Sequence, residues 1–238
     1  MADRPKLVTE LRQLAIQFFT NHRGADAESL QRLVTLLAQT GQVSAAFELL
    51  QKTRGQFPPE IIAAAQVNIL RHGRPSPQQS HATERYLIDK IEKKPASMAL
   101  RVSLADYYQH VGEHEKAIAT YRLVLDREPS NIVALNNLAW TFAADSQRAR
   151  DGLSLVQKAI DLAGPIGDLL DTRSRLLAEI GDSQAAVRDL IEAVSETPTA
   201  QRLMDLAALH RKVGQPDLAE RVERRARRYG GQELGVRN

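Results

Sequence analysis

The sequence predicts an all-α fold of stacked helical hairpins, and three observations support this prediction. A layout of glycine, alanine and proline recurs at about 34 residues, a period typical of helical repeat proteins. Apolar residues within each unit recur at helical spacing. Aromatic residues make up only 5% of the 238 residues, within a hydrophobic fraction of 43%. A core built mainly from alanine and leucine favours close-packed helices over a sandwich or a barrel.

The repeat is defined by a glycine that is followed five residues later by an alanine. The glycine intervals correspond to two, two and one units of about 34 residues. Two further units complete the series, one with Gly73 at its turn and one with the stretch around Ser146 in place of the glycine. The four matched pairs are Gly41 and Ala46, Gly112 and Ala117, Gly181 and Ala186, and Gly214 and Ala219.

Each unit is predicted to be a pair of helices joined by a short turn. In residues 98–131 the first apolar stripe stops at Gly112, because a helix C-terminus often needs a left-handed backbone that suits glycine. A second helix follows, in which Ala117 lets the two helices approach closely, and Pro129 ends it. A single hairpin would leave an apolar face exposed, and stacking of neighbouring hairpins buries it. The apolar positions are Leu104, Ala105, Tyr108 and Val111, then Ala117, Tyr121 and Val124.

This layout resembles the tetratricopeptide repeat. The resemblance rests on Leu104, Ala105, Tyr108, Gly112, Ala117, Tyr121, Val124 and Pro129 in the best copy. It implies a right-handed superhelical solenoid whose first helices line a concave groove. The predicted units are 27–58, 59–97, 98–131, 132–166, 167–199 and 200–232.

The flanks of the solenoid receive separate predictions. An apolar stripe within residues 1–26 predicts an amphipathic helix, either a cap on the first hairpin or part of a further repeat. Residues 233–238 are predicted to form a flexible tail. No apolar run approaches the roughly 20 residues of a membrane span. The N-terminus has no signal-peptide pattern, and the lack of cysteine fits a reducing compartment, so we expect a cytoplasmic protein.

The search for catalytic and metal-binding patterns gives one candidate, His110-Val111-Gly112-Glu113-His114. This string matches a zinc pattern in which both histidines share a helix face. Here it spans the predicted turn at Gly112, so we expect a solvated turn and no metal. Phosphate loops, dinucleotide fingerprints and nucleophile elbows are absent from the sequence. We therefore predict a protein that is not an enzyme and has no cofactor.

The resemblance places the candidate partner-binding residues on the first helices, along the groove. Trp140 has two interpretations: an exposed binding hot spot, or a ring packed between repeats. A clamp for a C-terminal carboxylate is disfavoured, because Asn137 alone occupies one of that clamp's positions. The groove residues are Asp106, Gln109, His110, Asn136, Asn137, Trp140, Asp168, Asp171, Arg175, Glu179, Arg211 and Lys212.

The last predicted helix carries a basic face, formed by Arg221, Arg224, Arg225 and Arg228 at positions i, i+3, i+4 and i+7. Such a stripe suits phosphates or an acidic partner. No aromatic stacking platform accompanies it, so nucleic acid is disfavoured. The net charge of +3 from 32 basic and 29 acidic residues does not reveal this clustering.

The function predicted from these observations is a non-catalytic scaffold that binds a partner peptide or protein segment in the groove. Two alternatives stay open. One is a binder of nucleic acid or another anionic surface through the basic face, and the other is the interaction region of a larger multidomain protein. The identity of the partner and self-association also stay open.

Overall fold

The computed structural model of the chain describes residues 26–233, and all regular secondary structure in this range is helical. The helix predicted within residues 1–26 lies outside the described residues, and so does the predicted tail apart from Glu233. Twelve helices follow one another between Ala27 and Glu233. They are α1 (Ala27–Gln39), α2 (Val43–Thr53), α3 (Pro59–His72), α4 (Pro77–Lys93), α5 (Met98–His110), α6 (His114–Arg127), α7 (Ile132–Phe142), α8 (Ala149–Ala163), α9 (Gly167–Glu179), α10 (Ser183–Glu196), α11 (Ala200–Lys212) and α12 (Pro216–Glu233).

The described chain forms two compact units, with the division between Thr120 and Tyr121 inside α6. In the N-terminal unit, α1 packs on α2 and α3, and α3 packs in turn on α4 and α5. Its core is built from leucine, isoleucine and alanine. Fully buried members include Leu30, Leu49, Ile62, Leu70, Leu87 and Leu100.

In the C-terminal unit, α7 packs on α8 and α9, and α9 packs on α8 and α10. The chain continues with α10 on α11 and α11 on α12. Its core has the same aliphatic character and includes Leu135, Val156, Leu170, Leu190 and Leu203. Each helix thus buries one apolar side against its neighbours, which is the packing that the helical spacing predicts.

Short polar residues begin several of the helices by accepting backbone N–H groups that the first turn leaves unpaired. Asn131 accepts the Ala134 N–H at 2.9 Å before α7, and Asp182 accepts the Ala185 N–H at 3.0 Å before α10. Ser76 and Gln79 bond reciprocally before α4, forming a capping box. These local signals fix where the helices start.

Glycines with positive φ end four first helices, as the sequence predicts. Gly112 has φ +82 after α5, and Glu113 N–H closes the turn on the Tyr108 carbonyl at 2.9 Å. Gly41, Gly181 and Gly214 have φ values of +78, +94 and +77. The turn between α7 and α8 has no such glycine, and Asp145 accepts the Gln147 N–H there at 2.9 Å. The Asp145 side chain thus hydrogen-bonds the backbone of a turn that has no glycine. The turn after α3 has a glycine, but Gly73 has φ −110, so four of the six described first helices end at a positive-φ glycine.

Candidate partner-binding face

The candidate site lies on the C-terminal unit, along the three helices α7, α9 and α11. Each is the first helix of a predicted hairpin. Trp140 of α7, Asp171 and Arg175 of α9, and Asp205 and Lys212 of α11 define a surface that we call the first-helix face. Trp140 is 40% exposed on this surface. The ring is therefore neither fully packed between helices nor fully free.

Arg175 connects the tryptophan to the neighbouring helix. Its guanidinium lies over the Trp140 ring, 5.6 Å from the ring centroid, in a cation–π arrangement. One Nη atom also lies 3.4 Å from the Asp205 carboxylate of α11. Asp205 accepts a second hydrogen bond at 2.8 Å from Gln201. Arg175 is thus held from two sides while 44% of its side chain stays exposed.

Arg202 of α11 lies beside this surface, and its side chain is only 9% exposed. It donates to the Asp168 carboxylate, to Asp171 at 3.1 Å, and to the Thr197 carbonyl at 3.0 Å. Burial opposes its charge, but the hydrogen bonds to Asp168 and Asp171 outweigh burial and raise the pKa of Arg202 above its usual range. Two of the four carboxylates predicted for the groove, Asp168 and Asp171, therefore belong to an ion-pair network that joins α9 to α11.

A cavity of about 230 Å³ opens between α9 and α11. Apolar groups form much of the lining, while charged groups stand around them. The lining residues are Asp171, Ser174, Arg175, Ala178, Leu190, Asp205, Ala208, Leu209 and Lys212. This combination suits an apolar side chain flanked by polar backbone.

Three charged groove candidates at the ends of α9 and α11 differ in what they contact. Lys212 lines the cavity and donates one hydrogen bond to the Ala178 carbonyl at 2.9 Å. Arg211 does not line the cavity, and its guanidinium lies 2.5 Å from Glu223 of α12. Glu179 is exposed at the end of α9. Lys212 is thus placed to contact a partner, whereas Arg211 joins α11 to α12.

Two asparagines lie one turn before Trp140 on α7. Asn136 donates to the side-chain oxygen of Asn137 at 3.2 Å. The Asn136 side-chain oxygen is buried and accepts no hydrogen bond. Both residues are half-buried, so they contribute less exposed surface than Trp140.

The three groove candidates on α5 belong to the N-terminal unit. Asp106 is 16% exposed, and its carboxylate lies 3.7 Å from Arg71 of α3. Gln109 is half-buried and His110 is exposed. The string from His110 to His114 spans the turn between α5 and α6, as the sequence predicts. Among residues 26–233 no group of three metal-ligating side chains comes together.

Sequence reasoning missed Arg202 and Asp205. The sequence does contain a signal for Arg202. This residue lies four positions before Leu206 and seven before Leu209, so it falls on the apolar side of α11. A charged residue on the apolar side of a helix becomes buried, and a buried charge requires a partner of opposite charge. Asp205 carries no comparable signal, since an acidic residue on a helix surface is ordinary.

The fold and the site together define a class of protein: an all-helical repeat protein with an apolar and charged cavity on its first helices. The tetratricopeptide repeat family model matches residues 100–131. Residues 100–131 therefore resemble a tetratricopeptide repeat, and the predicted all-α fold of stacked helical hairpins is confirmed. No curated protein matches the chain in sequence.

Several solved structures share the fold at low sequence identity. TTC0263, a thermophilic tetratricopeptide protein of Thermus thermophilus, is 16% identical; the match covers 89% of this chain and 95% of that one, with a TM-score of 0.58. MamA of Desulfovibrio magneticus RS-1 is 11% identical over 74% of this chain and 97% of that one, with a TM-score of 0.56. A chain of the APC/C hetero-tetramer Cut9–Hcn1 is 15% identical over 84% of this chain and 39% of that one, with a TM-score of 0.65. These matches concern the fold.

In the described range no helix is long and apolar enough to cross a membrane.

Proposed function

We propose that the chain is a non-catalytic scaffold that binds a segment of a partner protein on the first-helix face. The observation that carries the proposal is the row formed by Trp140, Arg175 and the α9–α11 cavity. Tryptophan and arginine are the residue types most enriched at the energetic centres of protein interfaces. Here they are in contact, partly exposed, and adjacent to a cavity that can receive a side chain.

The cavity suggests how a partner segment is held. Ala178, Leu190 and Leu209 supply apolar surface, so an apolar side chain of the partner would lose contact with water there. Arg175 and Lys212 each use one described hydrogen bond and keep further N–H groups for carbonyl or carboxylate oxygens. We expect an apolar anchor residue flanked by acceptor groups.

The experiment compares Trp140→Ala with Leu162→Ala as a matched control. Both residues are large, apolar and exposed, at 40% and 48%, but Leu162 lies on α8 rather than on a first helix. Partners are captured from the source cell with each variant and identified by mass spectrometry. We expect Trp140→Ala to reduce capture at least tenfold, since a central aromatic contributes about 2 kcal/mol or more.

A second experiment, site-specific photo-cross-linking, tests directly where the partner binds. A photoreactive amino acid at Ala208, inside the cavity, should cross-link to the captured partner, whereas the same group at Ile191 on α10 should not. Equal capture by Trp140→Ala and Leu162→Ala, together with cross-linking at Ile191 but not Ala208, would move the partner to another face. The cytoplasmic location stays a prediction, and fractionation of the source cell checks it.

A further inference from the structure

The outer side of α12 carries a second charged surface, separate from the first-helix face. Val222, Ala226 and Tyr229 pack this helix against the core of the C-terminal unit. The opposite side presents Arg221, Arg225 and Arg228, all exposed. Their spacing of i, i+4 and i+7 places them on one face over roughly 10 Å of helix axis. We call these three residues the α12 arginine stripe.

The stripe differs from the other arginines of α12 in its partners. Arg224 lies 3.5 Å from Glu220, and Arg227 lies 3.9 Å from Glu223. Within the described range, no hydrogen bond or ion pair engages the three arginines of the stripe. Three adjacent guanidinium groups that lack anions repel one another, so an anionic ligand that bridges them would be favoured.

The surroundings of the stripe indicate what kind of anion fits. Leu218 is 38% exposed one turn before Arg221 on the same side of the helix, and Asp217 and Glu220 are exposed beside it. Nucleic acid would meet these carboxylates and would gain nothing from Leu218, and an anionic membrane would be repelled by the same carboxylates with one leucine to insert. A helical protein segment can place separate carboxylates opposite the arginines and an apolar residue opposite Leu218.

We propose that the α12 arginine stripe binds an acidic helical segment of a protein, with Asp or Glu at i, i+3 or i+4, and i+7, and an apolar residue at one end. The site is independent of the first-helix face. Each carboxylate accepts hydrogen bonds from one guanidinium, and the long arginine stems let the three pairs adjust to one another.

The experiment measures binding of a 15-residue synthetic helical peptide with three glutamates on one face and a leucine beside them. The matched control peptide carries glutamine in place of the glutamates. The stripe variant is Arg221→Gln, Arg225→Gln and Arg228→Gln. The matched protein control changes three exposed arginines outside α12, Arg122, Arg127 and Arg150, to glutamine, so that both variants lose the same charge.

We expect the stripe variant to bind the acidic peptide about tenfold more weakly than the unchanged protein, while the control variant binds within twofold. The glutamine peptide should bind no better than the stripe variant binds the acidic one. Binding should weaken as salt rises from about 0.05 M to 0.5 M, because exposed charges are screened. Circular dichroism checks that both variants are equally helical.

A charge-swap arm separates a direct contact from a general charge effect. Arg221→Glu, Arg225→Glu and Arg228→Glu together should bind a lysine version of the peptide and reject the acidic one. Equal losses in the stripe and control variants would overturn the proposal. So would tighter binding of a single-stranded oligonucleotide, or of vesicles containing phosphatidylserine, than of the peptide. Trp140→Ala should leave peptide binding unchanged, so failure of this proposal is distinguishable from failure of the scaffold function.

Discussion

Replacing Arg202 by methionine should destabilise the C-terminal unit by about 2–4 kcal/mol. Methionine keeps most of the apolar stem and removes the guanidinium, so the loss reports the charge and its hydrogen bonds. The change leaves Asp171, whose side chain is 29% exposed, without its partner, and it removes the donors to Thr197. The pair with Asp168 adds little, because that carboxylate is 77% exposed and solvent replaces the arginine.

The assay is urea-induced unfolding followed by tryptophan fluorescence. Trp140 is the single tryptophan of the chain and lies in the C-terminal unit, so its signal reports that unit. Arg175→Met is the control, since Arg175 is 44% exposed and its pair with Asp205 spans 3.4 Å. We expect the control to stay within about 0.5 kcal/mol of the unchanged protein.

A double-mutant cycle with Asp171→Asn tests whether the two residues act as a pair. The coupling free energy between Arg202→Met and Asp171→Asn should be about 1–2 kcal/mol, since residues in one hydrogen-bonded network are not additive. A loss below about 1 kcal/mol for Arg202→Met, or additive losses in the cycle, would refute the role of Arg202 as the link between α9 and α11.

Three further predictions follow from local geometry. Gly152→Ala should cost about 1–3 kcal/mol in urea unfolding, because a Cβ there would lie 2.6 Å from the Leu176 Cδ2; Gly55→Ala, with no atom within 4 Å, is the control. The Asp89 carboxyl should titrate at about 2 in a carboxyl NMR experiment, since hydrogen bonds from two neighbouring lysines lower its pKa from 3.8. Its contribution to stability is therefore complete above pH 3.8 and is lost as the pH falls through about 2. Acrylamide should quench Trp140 partially in the free protein and less when the partner is bound.

Features set by neighbouring residues could be predicted from the sequence. The stop at Gly112 follows from the left-handed backbone that a helix end requires, and the structure places φ at +82 there. Ala117 is fully buried, as close approach of two helices demands. These constraints act within a few residues, so a repeated local pattern reveals them.

Features set by contacts between hairpins could not be predicted in the same way. Arg202 pairs with residues 31 and 34 positions earlier in the chain, and no local pattern specifies that meeting. Gly152 lies inside α8, where the α9 side chain of Leu176 requires it to lack a Cβ. A glycine within a helix suggests a close approach, but the neighbouring atom is known only from the packing.

The Arg202 network changes which groups of the first-helix face are available to a partner. By sequence, this face has two acidic and two basic residues, so its formal charges cancel. Asp171 is engaged by Arg202, however, and Asp205 already accepts from Gln201 and Arg175. Arg175 and Lys212 keep N–H groups beyond their single described bonds, and both are exposed. We therefore expect the face to select segments that present oxygen acceptors beside an apolar side chain, even though its formal charge is close to zero.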